Sequence, residues 1–471
     1  MERTPFDAVC FPGGFEPEAQ WEELEAEPGV AVRYPVLDDR AWTELIENLR
    51  VSGKALKERP VRELVDSIGR AAERLLDPED SLRGEALNWL VPTAGLSAEM
   101  ADLVLTGMAK DWTSDRLTEL LEREFRVPEV LDEFRVLDSG RKLHAVGSDL
   151  SFHVGAGTVP GVSVSSMIRS LLVKSAVLLK PGRGDVVLPV VFARALAQVD
   201  AGLGRAVAVV YWPGGRSPAE ALALRESSVV VAYGGGESVA ALRDRTPVTS
   251  RFLAYHHRVS VGLIGRDALS GANARQTASA AALAVSTFDQ RGCVSPHVLY
   301  VESGGSTTAK EWAGVLAEAM GELENAIPGG RLTPEEASLL HQSRGASEMQ
   351  EASGDDVAVH IGDRGSWTVI YQESSAFTLS CQNRVIYVKP VPDLDDVPQL
   401  LADVGPHLQT VALSGATDRR QDLATVLGRT GVTRVTSFEG APWPPPWWHH
   451  DGASVFAGLI SWVDLEDEER G

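Results

Sequence analysis

The sequence predicts an α/β fold: mostly parallel sheets in two successive domains, behind a helical N-terminal portion. Three observations carry that prediction. Residues 38–126 keep helical apolar spacing, short β-rich runs separated by helix-length segments follow from about 140, and the same alternation starts again after 256. Strand, helix, strand in alternation calls for crossover connections, hence parallel strands covered on both faces.

The elements follow in order. In VRELVDSIGRAAERLL (61–76), Val61, Leu64, Val65, Ile68, Ala72, Leu75 and Leu76 repeat on one helical face. Ser97 is placed to cap the helix AEMADLVLTGMAKDW, with Glu99 in its first turn. LSFHV (150–154), AVLLK (176–180), AVAVVY (206–211) and SVVVAY (228–233) read as strands, with helices over 163–175 and 188–199 between them. The second series is VSVGLI (259–264), a helix over 270–287, HVLYVE (297–302), a helix over 308–325 and a strand at 384–391. Residues 327–360 are polar and strand-poor and read as a helical excursion. Three consecutive prolines in APWPPPWWHHDG (441–452) exclude regular structure there. The expected division is a helical portion plus an α/β domain over 1–256, a second α/β domain over 257–440 and a tail over 441–471.

With 471 residues, 44% hydrophobic and 23% charged, the chain has the composition of a globular protein of two or three domains. No apolar run reaches the length of a membrane span. MERTPFDAVCF lacks the basic-then-apolar order of a signal peptide, and three cysteines make no disulfide framework, so a reducing cytoplasm is expected. A net charge of -22 repels phosphate backbones and anionic membranes, so nucleic acid is not an expected partner.

Cys293, in STFDQRGCVSPHVLYVE, falls at a helix-to-strand junction between Gly292 and Ser295-Pro296. The residues alone leave two readings, a small core side chain or a nucleophile facing a cleft. GAGTVPG (155–161) and AYGGGES (232–238) are strand–glycine turn–helix segments, where bare backbone lets an anion approach the helix end. The first is not G-x-G-x-x-G, because Pro160 stands at the third glycine. GGSTTAKE (304–311) lacks the Gly-Lys-Ser/Thr of a phosphate loop and reads as a helix start. Adjacent histidines, His256-His257 and His449-His450, point to opposite faces and form no ligand set, so no metal is expected. Trp447, Trp448, His449, His450 and Asp451 form either a cleft wall or a packing surface for their own domain.

Taken as a series, GAGTVPG, VLLKPGRGD (177–185), AYGGGES, the FDQRGC turn and WHHDG resemble the aldehyde dehydrogenase superfamily and, within it, the LuxC-type acyl-CoA reductases. Thr158, Lys180, Gly234 and Cys293 follow one another at intervals of 22, 54 and 59 residues. The resemblance is close over 140–310 and loose over 380–455. It implies an aldehyde-dehydrogenase-like fold with Cys293 as nucleophile and its backbone N–H as half of an oxyanion hole. It also implies that the first α/β domain binds the cofactor, that the second carries the catalytic thiol and that the tail packs near the active-site cleft. Lys180 is then expected to contact the adenosine ribose or its phosphate, with Gly234 and Gly235 over a pyrophosphate; Glu373, in YQESSAF, is either a nicotinamide-ribose contact or a surface residue. Superfamily members commonly carry Glu where Arg183 stands. A guanidinium there binds a 2′-phosphate that a carboxylate repels, so NADPH is the expected cofactor.

Two departures shape the implied chemistry. Thr158 stands where the superfamily has an oxyanion-hole Asn, and its hydroxyl is shorter. HHRVSVGLIG (256–265) has no carboxylate where hydrolytic members carry the Glu that activates water. That loss favours reduction of an acyl-CoA or acyl-carrier-protein thioester over aldehyde oxidation. The rivals are aldehyde oxidation, with Glu373 the one candidate carboxylate, and an inactive superfamily member acting as an assembly partner. A thiolate at Cys293 is expected to need turn or helix-end amides that lower its pKa. The resemblance also implies a homodimer or tetramer.

Overall fold

Strands on either side of residues 256–258 belong to different sheets in the computed structural model, which describes residues 4–137, 141–215 and 217–466. The last five residues of the tail lie outside the described residues.

The first sheet has six strands, in the order Arg251–Tyr255, Val229–Tyr233, Leu150–Val154, Ala176–Lys180, Val207–Val210 and Val9–Cys10. All neighbours are parallel except the last pair. The chain runs outward from Leu150–Val154 on one side and then returns to its other side. That reversal opens a crevice at the C-terminal ends of Leu150–Val154 and Val229–Tyr233, where the 155–158 and 233–236 turns emerge. The second sheet has seven strands, in the order Val357–Ile361, Thr368–Gln372, Val385–Val391, Pro296–Glu302, Val259–Ile264, Leu408–Ser414 and Arg434–Thr436. Only Val357–Ile361 is antiparallel to its neighbour. Three residues separate Tyr255 from Val259, so the C-terminal edge of the first sheet faces the N-terminal edge of the second.

Five helices cover residues 39–125. Val61–Leu76 buries the stripe its spacing predicts, and the Ser97 hydroxyl accepts from Met100 N. These helices share one apolar core with the first sheet, and Phe288 from the second half enters that core. Separate clusters cover the two faces of the second sheet. Residues 304–311 do start a helix, closed by a Thr308–Glu311 capping box.

The strands missing from the sequence reading are mostly edges. The hairpin Gln20–Glu27/Val30–Val36 carries four glutamates on its outer strand. The 327–360 segment contains the helix Pro334–Ala352 but continues into the edge strand Val357–Ile361. Beyond the proline run the chain forms Ile460–Leu465, antiparallel to Lys142–Gly147. Among the described residues, no helix is long and apolar enough to cross a membrane.

Candidate active site

The facing sheet edges enclose a cavity of about 690 Å³. Thr158, Lys180, Gly234, Gly235 and Cys293 all line it, so the structure gathers five of the seven expected site residues. Arg183 lies just outside: it is exposed, and its guanidinium donates to Glu25 O at 2.8 Å. Glu373 is elsewhere. It follows the C-terminal end of Thr368–Gln372, whereas Cys293 precedes the N-terminal end of Pro296–Glu302. These strands run in the same direction, so the two residues sit at opposite edges of one sheet, and the Glu373 carboxylate accepts the Tyr371 hydroxyl. This corrects the expectation for Glu373 both as a ribose contact and as a base.

The loop before Cys293 is held in an uncommon conformation. Phe288, Asp289 and Gln290 have φ of 57°, 50° and 63°, and the facing triplet Gln382, Asn383 and Arg384 has 66°, 55° and 60°. Each such residue costs about 1–2 kcal/mol. Buried polar contacts between the triplets offset that cost. Gln290 Nε2 donates to Pro296 O and Val385 O, and its Oε1 accepts from Val385 N, all at 2.8 Å. Asp289 Oδ1 accepts from Arg384 Nε at 2.9 Å, and Arg384 also reaches Glu324 at 2.7 Å. Ser295 N to Gly292 O (3.0 Å) closes the turn that carries the thiol.

Burial, and then the Asp451 charge, push the Cys293 thiol up to about 11. A hydrogen bond from Gln409 and the Arg258 charge pull the other way. The expected lowering by turn amides is therefore overturned: the loop buries the sulfur, and desolvation of a thiolate outweighs the local donors.

On the other side of the cavity, Lys180 is buried with its ammonium 5.7 and 5.9 Å from the Trp212 and Tyr211 rings. Burial lowers its pKa, against the charge of Glu220, which is itself paired with Arg245. The 155–158 and 182–184 turns touch so closely that a Cβ on Gly184 would lie 2.1 Å from Gly157 O. The helix end after GAGTVPG is already occupied, because Asp185 accepts from Gly161 N (3.1 Å) and Ser163 N (3.4 Å). An internal carboxylate thus takes the place expected for a ligand anion.

The tail roofs the cavity. Trp443 packs on Phe288 and over Gly107, where a Cβ would meet its ring at 2.3 Å. Trp447 lies between Arg116 and Arg123, and His450 stacks on Tyr255 at 4.6 Å. The aromatic run therefore serves as a cleft wall that also packs on the N-terminal helices. Those helices contribute Met108, Trp112, Leu117 and Leu120 to an apolar stretch of lining. Sequence reasoning missed them, and missed Arg258 and Gln409, while Asp451 entered it only as part of the aromatic tail. One signal was available: Gln409 interrupts the apolar run LQTVALS, and a buried amide needs a partner.

A family model described as acyl-CoA reductase (LuxC) matches residues 56–462, well beyond the stretch whose motifs carry the resemblance. A long-chain acyl-protein thioester reductase from Photobacterium leiognathi is 20% identical over 92% of this chain and 87% of its own. Its counterpart from Photobacterium phosphoreum is 23% identical over 86% and 81%. Among solved structures, the NADP complex of an NADP-dependent glyceraldehyde-3-phosphate dehydrogenase from Bacillus halodurans C-125 superposes with a TM-score of 0.73 at 14% identity, covering 98% of this chain and 99% of its own. An NAD-dependent benzaldehyde dehydrogenase from Corynebacterium glutamicum gives 0.69 at 15% identity, covering 97% and 98%. The fold is that of the aldehyde dehydrogenases, and the chain belongs to the LuxC acyl-CoA reductase family.

Proposed function

We propose that the protein reduces an acyl-thioester, on coenzyme A or a carrier protein, to the aldehyde through a covalent acyl-Cys293 intermediate. One observation carries this reading: Cys293 shares a cavity with a glycine turn and an apolar channel, and the carboxylates among its described lining residues, Asp111 and Glu220, are each paired with an arginine. Asp451 is near enough to raise the thiol's pKa, but it is ion-paired with Arg258 at 2.8 Å and its Oδ1 accepts from Gln409 Nε2 at 3.0 Å. A carboxylate paired with a guanidinium is a poor base toward water. The relatives named as acyl-protein thioester reductases support the same chemistry.

The residues present fit a nicotinamide cofactor. Lys180 turns an ammonium toward the cavity without a hydrogen-bonding partner among the described residues, and the 234–236 turn presents bare backbone. When bound, NADPH supplies hydride to the acyl carbonyl. Lys180 and the backbone at Gly234 and Gly235 would hold its adenosine and phosphate portions, and Arg183, beside the cavity, would meet the 2′-phosphate. The chain's own part begins with the Cys293 sulfur bonding to the thioester carbonyl carbon. The carrier's C–S bond breaks, and the carrier leaves as a thiolate that takes up a proton. Backbone N–H of Cys293 and the Thr158 hydroxyl donate to the carbonyl oxygen. After reduction the Cys293 C–S bond breaks, which releases aldehyde and restores the thiolate. Met108, Trp112, Leu117 and Leu120 accommodate the acyl chain.

The test is aldehyde detection from a panel of acyl-CoA and acyl-carrier-protein thioesters with each nicotinamide cofactor. Aldehyde formed faster with NADPH is the expected result. Faster conversion of aldehyde to free acid would instead support oxidation, and no turnover with nucleotide still bound would support the assembly-partner reading.

A further inference from the structure

Four arginines line the cavity, and three of them are already engaged. Arg245 pairs with Glu220, Arg258 pairs with Asp451 at 2.8 Å, and Arg291 donates to Ala94 O at 3.0 Å and reaches Glu336 at 3.4 Å. The fourth, Arg169, is half-buried and makes no hydrogen bond or ion pair among the described residues. A guanidinium keeps its charge at every pH and offers five donors. Holding it unmatched in a partly dry site costs free energy that a bound anion recovers.

The helix Val162–Leu172 places this charge on the apolar side of the cavity. Thr158 and Val159 line the cavity just ahead of the helix, and Val162, Ser165 and Arg169 line it along one helical face. At 1.5 Å per residue, Arg169 stands about 10 Å beyond Val162 along the axis. One turn before it, Ser165 Oγ accepts from Trp112 Nε1 at 2.9 Å, which ties this stretch of helix to the wall of Met108, Trp112, Leu117 and Leu120. Asp111 is the one carboxylate of that wall, and it does not neutralise Arg169. No ion pair joins the two, and Asp111 is taken by Arg116 at 3.0 Å. Tyr233, Tyr255 and His450, which share the lining, are uncharged at neutral pH.

We propose that Arg169 is a specificity-determining residue whose guanidinium binds a carboxylate at the end of the acyl group remote from the thioester. The preferred substrates are then monothioesters of dicarboxylic acids, with their methylenes laid along the apolar wall. The inference rests on the reading of that wall as the acyl channel. A methyl-ended chain would bury its end against an unmatched cation, whereas a carboxylate forms a two-pronged pair with it. Such a pair has one geometry, so it also selects chain length.

The experiment measures single-turnover acylation of Cys293 in the full-length chain by peptide mass. It compares adipyl-, suberyl- and sebacyl-CoA with hexanoyl-, octanoyl- and decanoyl-CoA. At the favoured length, the carboxyl-ended thioester should acylate about tenfold or more faster than its methyl-ended match. Arg169→Leu should abolish or invert that preference, and Arg169→Lys should keep part of it. If Arg169→Leu loses its cooperative melting transition, Arg169→Gln carries the same comparison. The carrier's phosphates are the other source of an anion. If Arg169 binds those instead, Arg169→Leu slows both series alike on coenzyme A and neither on N-acetylcysteamine, which overturns the proposal. Equal wild-type rates at all three lengths, or a preference that survives in Arg169→Leu, overturns it as well. Tryptophan-fluorescence titration with suberic acid monoamide and with octanamide gives a readout without acylation, and the monoamide should bind more tightly. A wild-type chain that no thioester acylates would sink the reductase reading, while the order of those two affinities still decides the role of Arg169.

Discussion

At neutral pH the Cys293 thiol is held protonated by its burial and by Asp451. Its folded pKa of about 11 lies above the ordinary thiol value, so the thiolate fraction should climb about tenfold per unit from pH 7 to 10. Alkylation rates of the free protein measure this directly, and a plateau below pH 9 would contradict it. Arg183 gives a second prediction. A guanidinium on the 2′-phosphate contributes roughly 1.5–3 kcal/mol, so Arg183→Glu should weaken NADPH about 10- to 150-fold and NADH far less. Equal losses in the two binding titrations would show that Arg183, held at Glu25 O, does not read the phosphate. Cys293 and Lys180 were singled out by the motif series rather than by their immediate neighbours, and both line the cavity. Gln409 was not, because it lies 116 positions from Cys293 and comes near it only through the sheet, and Asp451, 158 positions away, was read only as part of the tail. Glu373 misled for the complementary reason, since sequence does not say which edge of a parallel sheet a loop occupies.

Two facing left-handed triplets hold the Cys293 loop, and the Asp289–Arg384 contact is their clasp. Both side chains are almost completely buried. Removing Arg384 leaves the Asp289 charge buried without an ionic partner, so Arg384→Met should cost about 3–5 kcal/mol, and Asp289→Ala, which leaves Arg384 paired with Glu324, should cost less. Either change should also lower the acylation rate while leaving nucleotide affinity nearly unchanged. Urea unfolding and single-turnover acylation check the two parts, and a variant with normal stability would show that the clasp does not support the loop. At this scale, central strands were readable from apolar runs bounded by turn residues, as in AVLLK and VSVGLI. The edge strands were not: the Gln20–Glu27 strand is polar and half exposed, and Arg434–Thr436 is only three residues long.

Across the whole molecule, three buried histidines set the acid limit. Burial lowers His153 to about 3 and His297 and His450 to about 4. In the unfolded chain each takes a proton near its ordinary value of about 6.5, so between roughly pH 6.5 and 4 the unfolded state binds more protons and stability falls as pH drops. Asp185, which burial raises to about 7, acts in the opposite direction over the whole of that range, one group against three. The melting temperature should therefore decline from pH 7 to 4.5, and a flat or rising profile would contradict the assignment. The two-sheet architecture was legible because the strand–helix alternation restarts after Tyr255. The closing of the cavity by the tail was not, because proline-rich aromatic sequence gives no direction of packing. The claim that ties these scales together is that Cys293 takes the acyl group. Incubating the protein with an acyl-thioester and no cofactor should add one acyl mass on the Cys293 peptide. Cys293→Ala should abolish the addition, whereas Cys10→Ala and Cys381→Ala should retain it. Full acylation of the Cys293→Ala protein would contradict the account.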